Sequence, residues 1–81
     1  MPNLNEAAVV ELRLFVRRQA MYFEGSERGE LADKDILPSI TVRRVWLKVG
    51  SEFQRSLSGE DHQMSLGELS DKVVASFSSD S

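Results

Sequence analysis

At 81 residues, with 41% hydrophobic and 28% charged side chains, the chain is long enough for one globular domain. Its net charge of −3 argues against nucleic acid as the main partner, because phosphate binding needs clustered Lys and Arg. The absence of cysteine excludes disulfides and thiolate metal sites, and the lack of a signal peptide or a long apolar run predicts a cytoplasmic protein without membrane contact.

A long helix is predicted first, from Asn5 to Phe23, since no Gly or Pro interrupts that range. Asn5 alone, or Asn3 together with Glu6, can cap its start. At 100° per residue, one broad face of this helix should turn towards a core. That face holds Ala8, Val9, Leu12, Phe15, Val16, Tyr22 and Phe23.

Another strip of this helix carries Val10, Leu14 and Met21, next to Arg17. Two interpretations of the strip stay open. Either the rest of the domain wraps partly around it, or it faces a partner protein. The second interpretation predicts a non-catalytic helical docking or interaction module, which is the main alternative function.

The next segment, Glu24 to Leu37, is polar and is predicted to be a connection that lies over the core. Loops of this length without structure are uncommon in compact domains, and they are usually functional or mobile. Its apolar anchors are Leu31, Ile36 and Leu37.

A second helix is predicted from Ser39 to Phe53. Five apolar side chains fall within about 100° of one another and form its inward stripe. They are Val42, Val45, Trp46, Val49 and Phe53. Two apolar residues lie off the stripe, Ile40 and Leu47. The solvent side carries Arg43, Arg44 and Lys48.

The segment from Ser56 to Met64 is predicted to be a short link, which could form a single helical turn. Leu57 and Met64 are its expected core contacts. A capping box of Ser65 and Glu68 then opens the last helix, Leu66 to Phe77, whose apolar residues recur at helical spacing.

The serine-rich residues 78–81 are expected to be a flexible tail that follows a single helical domain at residues 1–77. The predicted fold class is all-α. Within it, we expect a small four-helix bundle that consists of three main helices and a short third one.

Ser39 lies where a loop enters a helix, and from spacing alone it is interpreted as the N-cap. The only histidine, His62, lies in a polar segment, and nothing in the sequence suggests a Ser-His-acid triad. The acidic residues near His62 and in the long loop lack the spacing of metal ligands, so they are interpreted as solvated charges. The two pairs of arginines are also interpreted as solvated charges. These residues are Glu60, Asp61, Asp33, Asp35, Arg17, Arg18, Arg43 and Arg44. Neither an enzyme nor a metal site is therefore expected.

The order of elements and the spacing around Ser39 resemble the acyl carrier protein superfamily, which includes carrier domains of polyketide synthases. Leu31-Ala32-Asp33 is similar to the Leu-Ala-Asp often found before the attachment serine of that family, and Ser39-Ile40 is similar to its Ser-Leu pair. Ser65 to Leu69 resembles the run that opens the last helix of such carriers. The resemblance covers residues 5–77.

Two features depart from the usual carrier pattern. Pro38 stands where the family has an aspartate, and the glycine before that aspartate is absent. Arg43 and Arg44 stand where fatty-acid carriers tend to be acidic, which favours a synthase-embedded domain.

The resemblance implies that Ser39 carries 4′-phosphopantetheine, with an acyl group on its thiol end. It implies as partners a phosphopantetheinyl transferase and acyl-processing enzymes or synthase domains. They would dock on Ile40, Arg43, Arg44 and Leu47. A carrier catalyses nothing itself, and such a domain is expected to be monomeric. Because of Pro38, a degenerate carrier-like fold without the modification stays open.

Overall fold

The computed structural model describes residues 5–25, 31–54 and 62–78. In these ranges the chain forms α1 (Glu6–Glu24), β1 (Ile36–Leu37), α2 (Ser39–Glu52), β2 (Met64–Ser65) and α3 (Leu66–Ser78). This mostly helical architecture confirms the predicted all-α class. The predicted short third helix falls largely on residues 56–61, which lie outside the described residues, whereas Met64 is buried and belongs to β2.

Helix α1 begins and ends within one residue of its predicted bounds, because its ends carry residues suited to those positions. The Asn5 side chain accepts a hydrogen bond of 2.8 Å from the Ala8 amide, which satisfies one of the free N–H groups of the first turn. At the other end, Gly25 has a φ of 92°, and its amide donates to the Met21 carbonyl over 3.0 Å. Glycine adopts such a positive φ at little cost, and the helix therefore stops there.

The inward face of α1 differs in part from the predicted face. Leu12 and Val16 are buried, as predicted, and Phe23 packs against the core. Tyr22, which is predicted to face the core, is instead 78% exposed, so this prediction is wrong. Ala20 is buried near the end of α1. Tyr22 follows it by two residues, which corresponds to about 200° around the helix, and Tyr22 therefore faces outwards.

Helix α2 packs against α1 through the predicted stripe. Its buried side chains are Thr41, Val42, Val45, Trp46 and Val49. Phe53, which is predicted to lie on this stripe, is instead the C-cap residue and is 41% exposed, so this part of the prediction is wrong. Its ring contacts those of Phe15 and Phe77 edge to face, with ring centroids 5.3 and 5.5 Å apart. These three rings, here called the aromatic cluster, join the last turn of α2 to both other helices.

The two short strands join the approach to α2 to the start of α3. They are antiparallel, with Ile36 opposite Ser65 and Leu37 opposite Met64. Successive side chains of a strand point to opposite faces, so Leu37 is fully buried whereas Ile36 is 50% exposed. Leu37 is therefore confirmed as an anchor of the connection, and the same prediction for Ile36 is wrong.

Helix α3 packs against α1 and closes the core. The Glu68 amide donates to the Ser65 hydroxyl over 3.2 Å, as the predicted capping box requires. Three residues of the predicted apolar set are fully buried, namely Leu66, Leu69 and Val73. The helix includes Ser78, the first residue of the predicted tail, and residues 79–81 lie outside the described ranges.

Gly67 lies where α3 comes closest to the long connection. Its amide donates to the Asp33 carbonyl over 2.9 Å. A Cβ atom added at Gly67 would lie 3.2 Å from the Cβ and 3.2 Å from the carbonyl oxygen of Asp33. An alanine at this position therefore requires Asp33 to move away. The hydrogen bond from the Gly67 amide to the Asp33 carbonyl opposes that movement.

We expect Gly67→Ala to lower the free energy of unfolding by about 1 kcal/mol, because the crowding against Asp33 outweighs the better helix propensity of alanine. Urea denaturation followed by circular dichroism measures the change. The exposed Ala75 provides the control, since Ala75→Gly should cost about 1 kcal/mol through propensity alone. If Gly67→Ala instead stabilised the protein by that amount, the contact with Asp33 would carry no cost.

Candidate functional site

Ser39 is an exposed residue at the first turn of α2. The helix begins at Ser39 itself, so Pro38, with φ of −68° and ψ of 158°, occupies the N-cap position. The prediction that Ser39 caps the helix is therefore wrong. Pro38 makes no side-chain capping bond, and its carbonyl accepts the Val42 amide over 3.0 Å. The first N–H groups of α2 consequently have no side-chain cap.

Two buried residues hold Ser39 in place, one on each side. Leu37, two residues before it, is fully buried in the core. Thr41, two residues after it, is also buried, and its hydroxyl donates to the Glu24 carboxylate at the end of α1. Hydrogen bonds to charged groups are stronger than neutral ones, so this bond fixes the start of α2 against α1. Ser39 is thus held at the surface between two fixed neighbours.

Arg17 fastens the connection ahead of Ser39 to α1. Its guanidinium donates to the Leu31 carbonyl and, over 2.8 Å, to the Asp33 carboxylate. The interpretation of Arg17 as a solvated charge is therefore wrong, whereas the Asp33 side chain is largely exposed, as predicted, although it is paired with Arg17. No signal in the sequence marks this pair, because the two residues are sixteen positions apart and meet only in the folded chain.

Asp35 also has a structural role, which corrects its interpretation as a solvated charge. Its carboxylate accepts the Ala32 amide over 2.8 Å, and its own amide donates to the Ala32 carbonyl over 3.0 Å. An aspartate that bonds a nearby backbone amide in this way stabilises a tight turn. The Asp35 carbonyl in addition accepts the Leu66 amide over 2.9 Å, so the turn is bonded to the start of α3.

The exposed side of α2 carries a mixed surface of Ile40, Arg43, Arg44 and Leu47, here called the α2 face. These four positions lie within about 100° of one another around the helix. Ile40 is 58% and Leu47 65% exposed, and both arginines are exposed. Single exposed aliphatic residues are common, but two beside two arginines form a patch that is both apolar and basic. The exposure predicted for these four residues is confirmed, and their role stays a prediction.

A shallow depression of about 340 Å³ lies at the far end of the α2 face, between α1 and α2. It is lined by Phe23, Arg44, Leu47, Lys48 and Ser51. Leu47 follows Ser39 by eight residues, which corresponds to about 12 Å along the helix axis. A partner that binds the depression therefore also lies near Ser39.

The titratable side chains of the described ranges do not assemble into a metal centre. Among those residues, no group of three or more His, Cys, Asp or Glu could hold a metal ion. His62 is exposed just before β2, whereas Glu60 and Asp61 lie outside the described residues. The described helices also include none that is long and apolar enough to span a bilayer. We take Ser39 and the α2 face as the candidate site because both are exposed and lie along one helix.

Comparisons with known proteins identify no relative of this chain. No family model matches it, and neither a curated protein nor a solved structure does so. A functional conclusion therefore depends on the residues of the candidate site and on their arrangement.

Proposed function

We propose that this chain is an acyl carrier domain of polyketide or fatty-acid-like biosynthesis, which presents an acyl intermediate on 4′-phosphopantetheine attached to Ser39. One observation carries the proposal. An exposed serine begins a helix, and an exposed apolar and basic face continues from it along that helix. The resemblance of the residues around Ser39 to carrier domains supplies the chemical class of the attached group. In this proposal the domain has no catalytic activity of its own.

The start of α2 suits a phosphodiester on Ser39. Its first N–H groups lack a side-chain cap, and the positive end of a helix dipole stabilises an anion by about 0.3–1 kcal/mol. Arg43 lies one turn further along the exposed side and can offset the phosphate charge. In the transfer, the Ser39 hydroxyl gives its proton to a base of the transferase, and its oxygen bonds to the phosphorus that bears the pantetheine. The phosphoanhydride bond of coenzyme A breaks, and adenosine bisphosphate leaves.

The α2 face supports docking of the transferase and of acyl-processing enzymes or synthase domains. The chain has a net charge of −3, yet Arg43, Arg44 and Lys48 lie together on the solvent side of α2. This arrangement favours partner surfaces that place acidic groups around an apolar contact for Ile40 or Leu47. Opposite charges accelerate the encounter of two proteins and select between partners.

We expect the chain to gain the mass of one phosphopantetheinyl group when it is incubated with coenzyme A and a broad-specificity phosphopantetheinyl transferase. Intact-mass spectrometry measures the gain. Ser39→Ala should abolish it, whereas Ser51→Ala, which changes another exposed serine of α2, should leave it unchanged. A gain that survives Ser39→Ala contradicts the assignment of the attachment site.

The variant Pro38→Asp separates two explanations of a negative result. No gain in mass for the natural chain contradicts a modified carrier. If Pro38→Asp then gains the mass, the fold is that of a carrier, and Pro38 prevents its modification. If neither protein is modified, the carrier function is contradicted as a whole.

A further inference from the structure

Helix α1 leaves part of its second apolar strip uncovered. Met21 packs against the core, whereas Val10 is 55% and Leu14 44% exposed. The domain therefore covers the strip at Met21 and leaves it exposed at Val10 and Leu14, and a partner for the exposed part stays a prediction. Val10 and Leu14 are four residues apart on a helix, so their side chains are neighbours and form one exposed patch.

A groove of about 560 Å³ lies beside Leu14 and extends to the aromatic cluster of Phe15, Phe53 and Phe77. Two charged residues also line it, Glu11 and Arg18. The groove is therefore mostly apolar, and it carries one negative and one positive side chain along the same helix.

Glu11 and Arg18 are placed almost symmetrically about Leu14. Glu11 lies about 4.5 Å before Leu14 along the helix axis, and Arg18 lies about 6 Å after it. Both lie on the same side of Leu14, at about 60° and 40° around the helix. Both side chains are exposed, and neither is ion-paired in the part of the chain that the structure describes. The surface thus has opposite charges at nearly equal distances from its apolar centre.

We infer that two copies of this chain associate through antiparallel α1 helices, with the two-fold axis passing beside Leu14. Such an axis exchanges the positions before and after Leu14, so Glu11 of one copy meets Arg18 of the other, twice by symmetry. The exposed Leu14 side chains meet at the centre, and Val10 extends the apolar contact. The surface is complementary to itself in both charge and polarity, which identifies a second copy as its partner. The proposed dimer differs from the monomer that the resemblance to carrier domains implies.

Sedimentation equilibrium from micromolar to millimolar chain concentration tests the association. We expect the mean mass to rise from one chain towards two. Leu14→Asp should weaken the association at least about tenfold, because it places a carboxylate at the centre of the contact. Leu47→Asp, an equivalent change on the α2 face, should leave it unchanged. A natural chain that stays monomeric throughout this range overturns the proposal.

Charge exchange tests the antiparallel arrangement itself. Glu11→Arg and Arg18→Glu should each weaken self-association at least about tenfold, because each brings like charges together at both symmetric positions. The double variant carrying both changes should associate like the natural chain, and an equimolar mixture of the two single variants should form a mixed dimer. Circular dichroism confirms that each variant folds. If the single variants associate as strongly as the natural chain, or if the double variant remains monomeric, the contact between Glu11 and Arg18 is contradicted. Neither outcome depends on the mass measurement on Ser39.

Discussion

Leu37→Ala is expected to lower the free energy of unfolding by about 2–5 kcal/mol, because it leaves a cavity in a closely packed core. Leu37 is fully buried, and it is the residue of β1 that turns inwards. A domain of this length has a total stability of about 4–12 kcal/mol. The loss is therefore a large fraction of the total. Urea denaturation followed by circular dichroism measures it.

Ile36→Ala is the matched control, since the two residues are neighbours in the same strand. Ile36 is half exposed, and we expect its truncation to cost less than about 1 kcal/mol. Equal losses for the two variants would contradict the alternation of β1. A loss below about 1 kcal/mol for Leu37→Ala would show that the core does not depend on this anchor.

Arg17→Met is expected to lower the free energy of unfolding by about 2–3 kcal/mol. The methionine keeps most of the aliphatic stem but leaves the Leu31 carbonyl without its charged donor, and hydrogen bonds to charged groups contribute about 1.5–3 kcal/mol. The ion pair with Asp33 adds less, because the Asp33 side chain is largely exposed and water screens the attraction.

Arg43→Met provides the comparison for Arg17, since Arg43 is an exposed arginine of the α2 face. We expect its effect on stability to stay within about 0.5 kcal/mol. The same urea titration serves both proteins. If Arg17→Met is no more destabilising than Arg43→Met, the bond from Arg17 to the Leu31 carbonyl does not hold the connection in solution.

The helices were predictable because their signals are local. Asn5 and Ser65 are capping residues within three positions of the amides they bind, and the apolar stripe from Val42 to Val49 needs only helical spacing. The burial of Leu31 and Leu37 was predictable because they are apolar residues in a polar segment, but the same reasoning failed for Ile36, since only the strand pairing decides which of the two neighbours turns inwards.

The parts of the site that the sequence did not reveal depend on contacts between distant residues. The bond from Thr41 to Glu24 spans seventeen positions, and the bond from Arg17 to Asp33 spans sixteen. Each of these residues is polar and therefore looks solvated when it is considered alone. The N-cap position was misjudged for a different reason, since Pro38 is extended and the helical conformation begins only at the following residue.

The amides of Leu66 and Gly67 bind the carbonyls of Asp35 and Asp33, and these bonds close the chain around α2 into a ring. The base of that ring is the first turn of α3. Protein segments open in cooperative units, and amide hydrogens exchange with solvent when their unit opens. Melting of that first turn would therefore break two of the bonds that hold the approach to Ser39, while the bond from Arg17 to the Leu31 carbonyl would remain. The position of the exposed serine is in this way also supported by a helix that does not contain it.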